Sequence, residues 1–277
     1  MFRLKIFSAT LLIAILFSSC SEYQKVLNKG EVVDQYKMAN KLFEEGKYHK
    51  ALPLFEKVIP KYRRKPQFER IQYMVGQSNY FTKDYDLAAY YFNRFIGNYP
   101  NSSKIEEAAY LVAHSYYLGA PKSSRDQAGT QKALVAFQNF IDKYPTSDKI
   151  EDANRYYDEL TKRIEKKAFD VAKLYYTIEH YNAAITAFDV FLENNYGTIY
   201  KEDALAYKFL ASYELGMQSV IVKKEKRINN AVLAYQRYKK RFPKSGKFKN
   251  FSSLEEKLQA ELISTKQELE KYKINGL

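Results

Sequence analysis

Tyr36, Tyr73 and Tyr110 stand 37 residues apart, each three residues ahead of a small residue: Ala39, Gly76 and Ala113. Each is followed by a second run in which Ala precedes an aromatic residue by four positions and a further apolar residue by seven. These runs are Ala51/Phe55/Val58, Ala88/Phe92/Phe95 and Ala133/Phe137/Phe140. The pattern returns as Ala172 with Ala184/Phe188/Phe191, and as Ala211 with Ala231/Tyr235/Tyr238. Spacings of three and four place such residues on one helix face. Small residues let two helices approach, and the rings fill the space beneath the next pair. A chain written this way buries each helix pair against its neighbours rather than around one centre. The expectation is an all-α solenoid of about five helix pairs.

The insertions keep the register. From the small residue of the first helix to the Ala of the second is 12 residues in repeats one, two and four, and 20 in repeats three and five. There Gly119–Thr130 and Gly216–Asn229 are predicted to lengthen the turn by eight. The 59 residues from Ala113 to Ala172 exceed one repeat by that same insertion and a further 14. Fourteen residues is close to four helical turns, so an unbroken helix from about Asp148 to Ile178 keeps its buried face between repeats three and four. Pro100, Pro145 and Pro243 each lie 12 residues after a second-helix Ala and end the helix by lacking an N–H. Pro53 lies early enough in its helix to be accommodated. Ser252–Tyr272 is predicted as an extra C-terminal helix, with Leu254, Leu258, Leu262 and Leu269 on one face. This spacing is that of tetratricopeptide repeats.

Arg3 and Lys5 precede an apolar stretch from Ile6 to Phe17, then Ser18-Ser19-Cys20. About 12 apolar residues are too few to span a bilayer but suit the core of a secretory signal. Small residues before a Cys resemble the lipobox of bacterial lipoproteins, whose Cys is lipidated after cleavage. Phe17 stands where that motif usually has Leu. Cys20 is the single cysteine, so the exported chain carries no internal disulfide.

The net charge of +13 is spread along the chain, with clusters at 61–65, 223–227 and 239–249. An even spread and an export signal argue against a nucleic-acid partner. The plainest reading of the clusters is solvated helix C-termini; the alternative is contact with anionic headgroups or an acidic partner. His49, His114 and His180 lie in different repeats, without a second ligand at i, i+4 on the same helix. No nucleophile elbow, phosphate loop or paired-carboxylate motif is present. The sequence therefore predicts no catalytic residues, no metal site and no cofactor.

What remains is binding. Positions −3, +1 and +4 from the small residue share one face of the first helix, which lines the concave side of such arrays. They are Tyr36, Asn40 and Phe43, then Tyr73, Gln77 and Tyr80, then Tyr110, His114 and Tyr117. Aromatic, polar, aromatic, three times over, suits stacking on side chains while bonding an extended backbone. The same rings would equally serve to pack repeat against repeat. In repeats four and five the positions hold Phe169, Lys173 and Tyr176, then Lys208, Ser212 and Leu215. Lys173, Tyr176 and Lys208 are the candidates for a partner-docking face.

Cys20, the five repeat signatures and the A(x)3F(x)2F(x)4P runs at Ala88–Pro100 and Ala133–Pro145 together resemble the BamD family of outer-membrane assembly lipoproteins. The resemblance covers roughly residues 18–250. It implies a non-catalytic periplasmic scaffold, held by acyl chains in the outer membrane. Such a scaffold binds targeting segments of unfolded barrel precursors in its N-terminal half. It docks on the periplasmic domains of the barrel insertase through its C-terminal half, with other assembly lipoproteins as further partners. The implied organisation is a signal peptide at 1–19, lipidated Cys and tether at 20–33, a substrate groove of repeats one to three at 34–146, linking helix and repeats four and five at 147–250, and the C-terminal helix at 251–277. Two other readings stay open: a periplasmic repeat lipoprotein of cell-wall synthesis or pilus assembly, and a glycan-binding uptake lipoprotein. The absence of Trp weighs against the second.

Overall fold

The computed structural model describes residues 22–274, and every regular element among them is a helix. In order these are α1 (22–29), α2 (Val32–Glu44), α3 (Tyr48–Tyr62), α4 (Gln67–Phe81), α5 (Tyr85–Asn98) and α6 (Ile105–Gly119). There follow α7 (Ala128–Lys143), α8 (Ile150–Thr177), α9 (Tyr181–Asn194), α10 (Lys201–Met217), α11 (Ile221–Arg241) and α12 (Phe251–Ile274). They form two compact units divided inside α8: one runs to Pro121 and takes in Asp126–Leu160, the other comprises Lys122–Arg125 and Thr161–Leu277. The signal peptide and Cys20 lie outside the described residues.

The spacing pattern is the core. Ala39, Gly76, Ala113, Ala172 and Ala211 are buried, and so are all five Ala-aromatic triplets of α3, α5, α7, α9 and α11. Phe55, Phe92, Phe95, Phe137 and Phe188 are fully buried. Each contributes about 1.5–3 kcal/mol relative to exposure. Gly76 marks a close approach: a Cβ there would come within 2.8 Å of the Phe92 ring.

The turn between paired helices is also repeated. Gly46, Lys83 and Glu179 each follow their small residue by seven positions and adopt φ of 72°, 66° and 62°. At each, the next amide reaches back five residues: Lys47 N to Leu42 O, Asp84 N to Asn79 O and His180 N to Tyr175 O, at 2.8–2.9 Å. This is the Schellman closure, satisfying helix C-terminal carbonyls through one left-handed residue.

Within the stretch 20–33, residues 22–29 form α1, whose Tyr23, Val26 and Leu27 pack against the core of α2 to α4. Gln35 Nε2 donates to the carbonyls of Val26 and Leu27 at 3.2 and 3.3 Å, satisfying the end of α1. Pro53 and Pro60 both lie inside α3, which continues through them.

Three features depart from expectation. The insertion in repeat three is a non-helical segment over 120–127, where Pro121 and two serines disfavour helix, but that in repeat five is not a longer turn. There, residues 221–230 lack Gly and Pro and simply extend α11 by two turns at its start. Accordingly, Lys223–Arg227 is not a helix C-terminus: it occupies the first turns of α11, whereas Lys239, Lys240 and Arg241 do occupy the last. The repeat-five register is also shifted by one. Phe209, fully buried, packs on Tyr235 at 5.2 Å as Tyr110 packs on Phe137, so Ser212 rather than Ala211 takes the reference position.

The helix α12 packs its apolar face on its own chain. Phe251 lies 4.8 Å from Phe209 and 5.1 Å from Tyr238, and Leu254, Leu258 and Leu262 join the same core. Ion pairs Lys224–Glu261 and Lys266–Glu225 tie α12 to α11.

Candidate functional site

The nine aromatic and polar candidates of the first unit fall into different surroundings. The −3 rings turn towards the second helix of their own pair: Tyr36 lies 4.9 Å from Tyr62, Tyr73 5.3 Å from Phe95 and Tyr110 5.5 Å from Phe140. Asn40 Nδ2 donates to the Tyr36 carbonyl at 2.7 Å, and its Oδ1 is buried without a hydrogen-bond partner. Packing therefore accounts for much of the stripe.

Two clusters remain. Phe43, Tyr73 and Gln77 line a cleft of about 450 Å³, together with Glu69, Arg70 and Lys104. Tyr73 is 7% exposed, and its buried hydroxyl makes no hydrogen bond of ordinary length, the Glu107 carboxylate being close enough only to act on it weakly. Burial, with the nearby Glu107 carboxylate, raises the phenol pKa and keeps it protonated as a donor. Lys104 Nζ stands 5.8 Å from the Tyr73 ring centroid. The cleft thus combines apolar walls and a phenol donor with two cations already paired, Arg70 with Glu44 and Lys104 with Glu107, a set that can receive a peptide carrying an aromatic side chain and a backbone acceptor.

Tyr80, Tyr110, His114 and Tyr117 form the other cluster. Tyr80 Oη and His114 Nδ1 are 2.7 Å apart, His114 stacks between Tyr110 and Tyr117, and Tyr117 donates to Glu159 at 2.6 Å. Tyr156 completes it, 4.3 Å from Tyr117 and covered by Arg155. Burial lowers the His114 pKa, favouring the neutral imidazole, which in the tautomer protonated on Nε2 accepts a hydrogen bond from the Tyr80 hydroxyl. Sequence reasoning treated α8 as a linker and missed Arg155, Tyr156 and Glu159. Their signal was the i, i+1, i+4 grouping at the start of that helix. It missed Arg70 and Lys104 because they lie outside the −3, +1, +4 face.

In the second unit Lys173 Nζ stands 5.0 Å from the Tyr207 ring, and Tyr176 lies 5.4 Å from the same ring. Lys208 does not join them: displaced by the register shift, it pairs with Asp189 of α9. Of the other histidines, His49 and His180 are exposed. Among the described residues no group of three or more His, Cys, Asp or Glu is placed to hold a metal, and no helix is long and apolar enough to cross a membrane.

The sequence profile of the YfiO family, described as outer membrane lipoprotein, matches residues 29–229. The putative outer membrane protein assembly factor BamD of Aquifex aeolicus is 33% identical over 225 residues, which is 80% of this chain and 73% of that protein. The outer membrane protein assembly factors BamD of Caulobacter vibrioides and Rickettsia prowazekii are 25% and 26% identical, covering 69% and 76% of this chain and 61% and 83% of theirs. A profile match across both units, with these relatives beside it, shows that this chain belongs to the YfiO (BamD) family of outer membrane lipoproteins.

Proposed function

We propose that this chain is a non-catalytic scaffold in the assembly of outer-membrane β-barrel proteins. Its relatives carry the name of outer membrane protein assembly factor, and this supports the general role. In this reading Cys20 is lipidated and holds the chain at the outer membrane, facing the periplasm. The cleft of Phe43, Tyr73 and Gln77 receives an extended aromatic segment of an unfolded barrel precursor. The second unit, through Lys173 and Tyr176 around Tyr207, docks on the periplasmic domains of the barrel insertase. The substrate role falls to the first unit and the docking role to the second, with the boundary inside α8.

The observation that carries the substrate half of this reading is the buried Tyr73 hydroxyl, which makes no full hydrogen bond within the fold, beside Arg70 and Lys104. A buried donor without a partner costs about 1–3 kcal/mol, which a bound acceptor would recover. Several weak contacts of this kind, on a tethered scaffold, raise effective concentration without one tight site. The test is site-specific photocrosslinking to a radiolabelled barrel precursor, with the crosslinker at Gln77 or, as a control, at exposed Tyr196 in the other unit. Adducts at Gln77 and none at Tyr196 are expected. Equal adducts at both, or none at Gln77, would remove the substrate groove from the reading.

A further inference from the structure

The helix α11 starts ten residues before its core Ala231, whereas α3, α5 and α9 each start three before theirs. The added turns carry Val222, Lys223, Lys226 and Arg227 on the face that looks across α10 to α9. With Arg237 and Lys208 they line an open cavity of about 580 Å³, whose one carboxylate is Asp189. Lys208 already neutralises Asp189. Arg227 donates to Ser219 Oγ at 2.8 Å, and among the described residues no carboxylate lies within ion-pair distance of Lys223, Lys226 or Arg237. Behind the same turns, Lys224 and Glu225 are matched by Glu261 and Lys266 of α12. The helix is held in place on that side while the cavity side is left cationic.

The position of these cations runs against helix physics. A helix N-terminus carries about half a positive charge and favours acidic residues, yet the first turn of α11 has none. Lys223, Lys226 and Arg227 along its first two turns repel each other, and an anion in the cavity would relieve that repulsion by meeting the three side chains together. The volume fits a single polar group of ligand size, since small-molecule sites run to about 300–1,000 Å³. A protein docking surface instead buries about 800 Å² on each partner. Arginine forks match phosphate oxygens in a planar, two-point geometry. Val222 lines the cavity yet is 78% exposed, and Val220 beside it is 63% exposed, an apolar lip suited to the start of an acyl chain.

We propose that the cavity between α9, α10 and α11 binds the phosphate-bearing headgroup of an anionic lipid. The choice of lipid as the source of phosphate rests on membership of an outer membrane lipoprotein family. It does not depend on the substrate groove or on insertase docking.

The test is native mass spectrometry of the full-length acylated protein, released from detergent micelles with added phosphatidylglycerol or phosphatidylcholine. One phosphatidylglycerol per chain is expected to remain bound, at least tenfold in excess of phosphatidylcholine. Lys223→Glu with Lys226→Glu, both exposed positions, should cut that occupancy about tenfold, and Lys239→Glu with Lys240→Glu should leave it unchanged. Arg237→Gln gives the same reading independently should the double variant fold poorly, as circular dichroism will show. Equal retention of the two lipids, or equal loss in the 223/226 and 239/240 variants, would overturn the proposal. Displacement of phosphatidylglycerol by millimolar glycerophosphate would leave a phosphate site and overturn the lipid. Displacement by a glutamate-rich peptide would assign the cavity to a polypeptide instead. Micelles contain no insertase, so none of these outcomes bears on the assembly role.

Discussion

Replacing Tyr73 with Phe removes one oxygen from a ring that is 7% exposed and otherwise leaves its packing on Phe92 and Phe95 intact. In the free protein that oxygen is buried and makes no full hydrogen bond, with only the Glu107 carboxylate acting on it. An unsatisfied buried polar group costs about 1–3 kcal/mol, so Tyr73→Phe should stabilise the chain by about 1 kcal/mol. For a protein of this size that is a rise of roughly 2–4 °C in melting temperature. Tyr238→Phe is the matched control: its hydroxyl bonds to Glu202 and Ser245, each at 3.2 Å, and its loss should destabilise by about 1–2 kcal/mol. Thermal unfolding followed by circular dichroism reads both. The same Tyr73→Phe protein should crosslink precursor through Gln77 several-fold less, so that stability and binding move in opposite directions. A melting temperature lowered as far as in Tyr238→Phe would refute the reasoning, since the Tyr73 hydroxyl would then be bonded within the fold.

Lys83→Gly and Glu179→Gly should each stabilise by about 0.5–1 kcal/mol in chemical denaturation, because a left-handed non-glycine residue costs about 1–2 kcal/mol and glycine returns part of that as chain entropy. Gly46→Ala should destabilise by a similar amount, and a loss of stability in both glycine variants would contradict the turn assignment. Phe209→Ala should cost about 3–5 kcal/mol, whereas Lys208→Ala, which leaves the part-exposed Asp189 unpaired, should cost about 1–2 kcal/mol. The reverse order would restore the unshifted register. The depressed pKa of His114 means the unfolded chain takes up a proton more readily than the folded one. Its contribution is therefore complete above pH of about 6.5 and lost as pH falls below it. Melting temperature against pH should show this slope, and His114→Gln should flatten it.

Core positions were readable because burial imposes a strict period. A ring at every Ala+4 has one place to go when the neighbouring helix is also small-faced, and Phe55, Phe92, Phe137 and Phe188 all went there. The left-handed turn was hidden because one repeat uses Gly46 while two others place Lys83 and Glu179 at the same φ, so residue type does not announce the conformation. The repeat-five insertion was misjudged by counting residues rather than weighing their chemistry: Ile221–Asn230 has nothing to stop a helix. The one-residue shift at Phe209 was hidden because Ala211 and Ser212 are both small and only the ring behind them decides which faces α11. The aromatic stripe was legible as residues but not as a site. Tyr36 and Tyr110 mainly pack, and the hydroxyl without a full hydrogen bond that sets Tyr73 apart is a property of its surroundings.

The assembly role is tested most directly by capturing the lipidated protein from mildly solubilised outer membrane and identifying everything retained by mass spectrometry. A barrel insertase bearing several periplasmic domains is expected among the retained proteins, and is lost when Tyr207 and Tyr176 are replaced by Ala in a chain that still folds. Retention of cell-wall enzymes or pilus subunits in place of any insertase would contradict it.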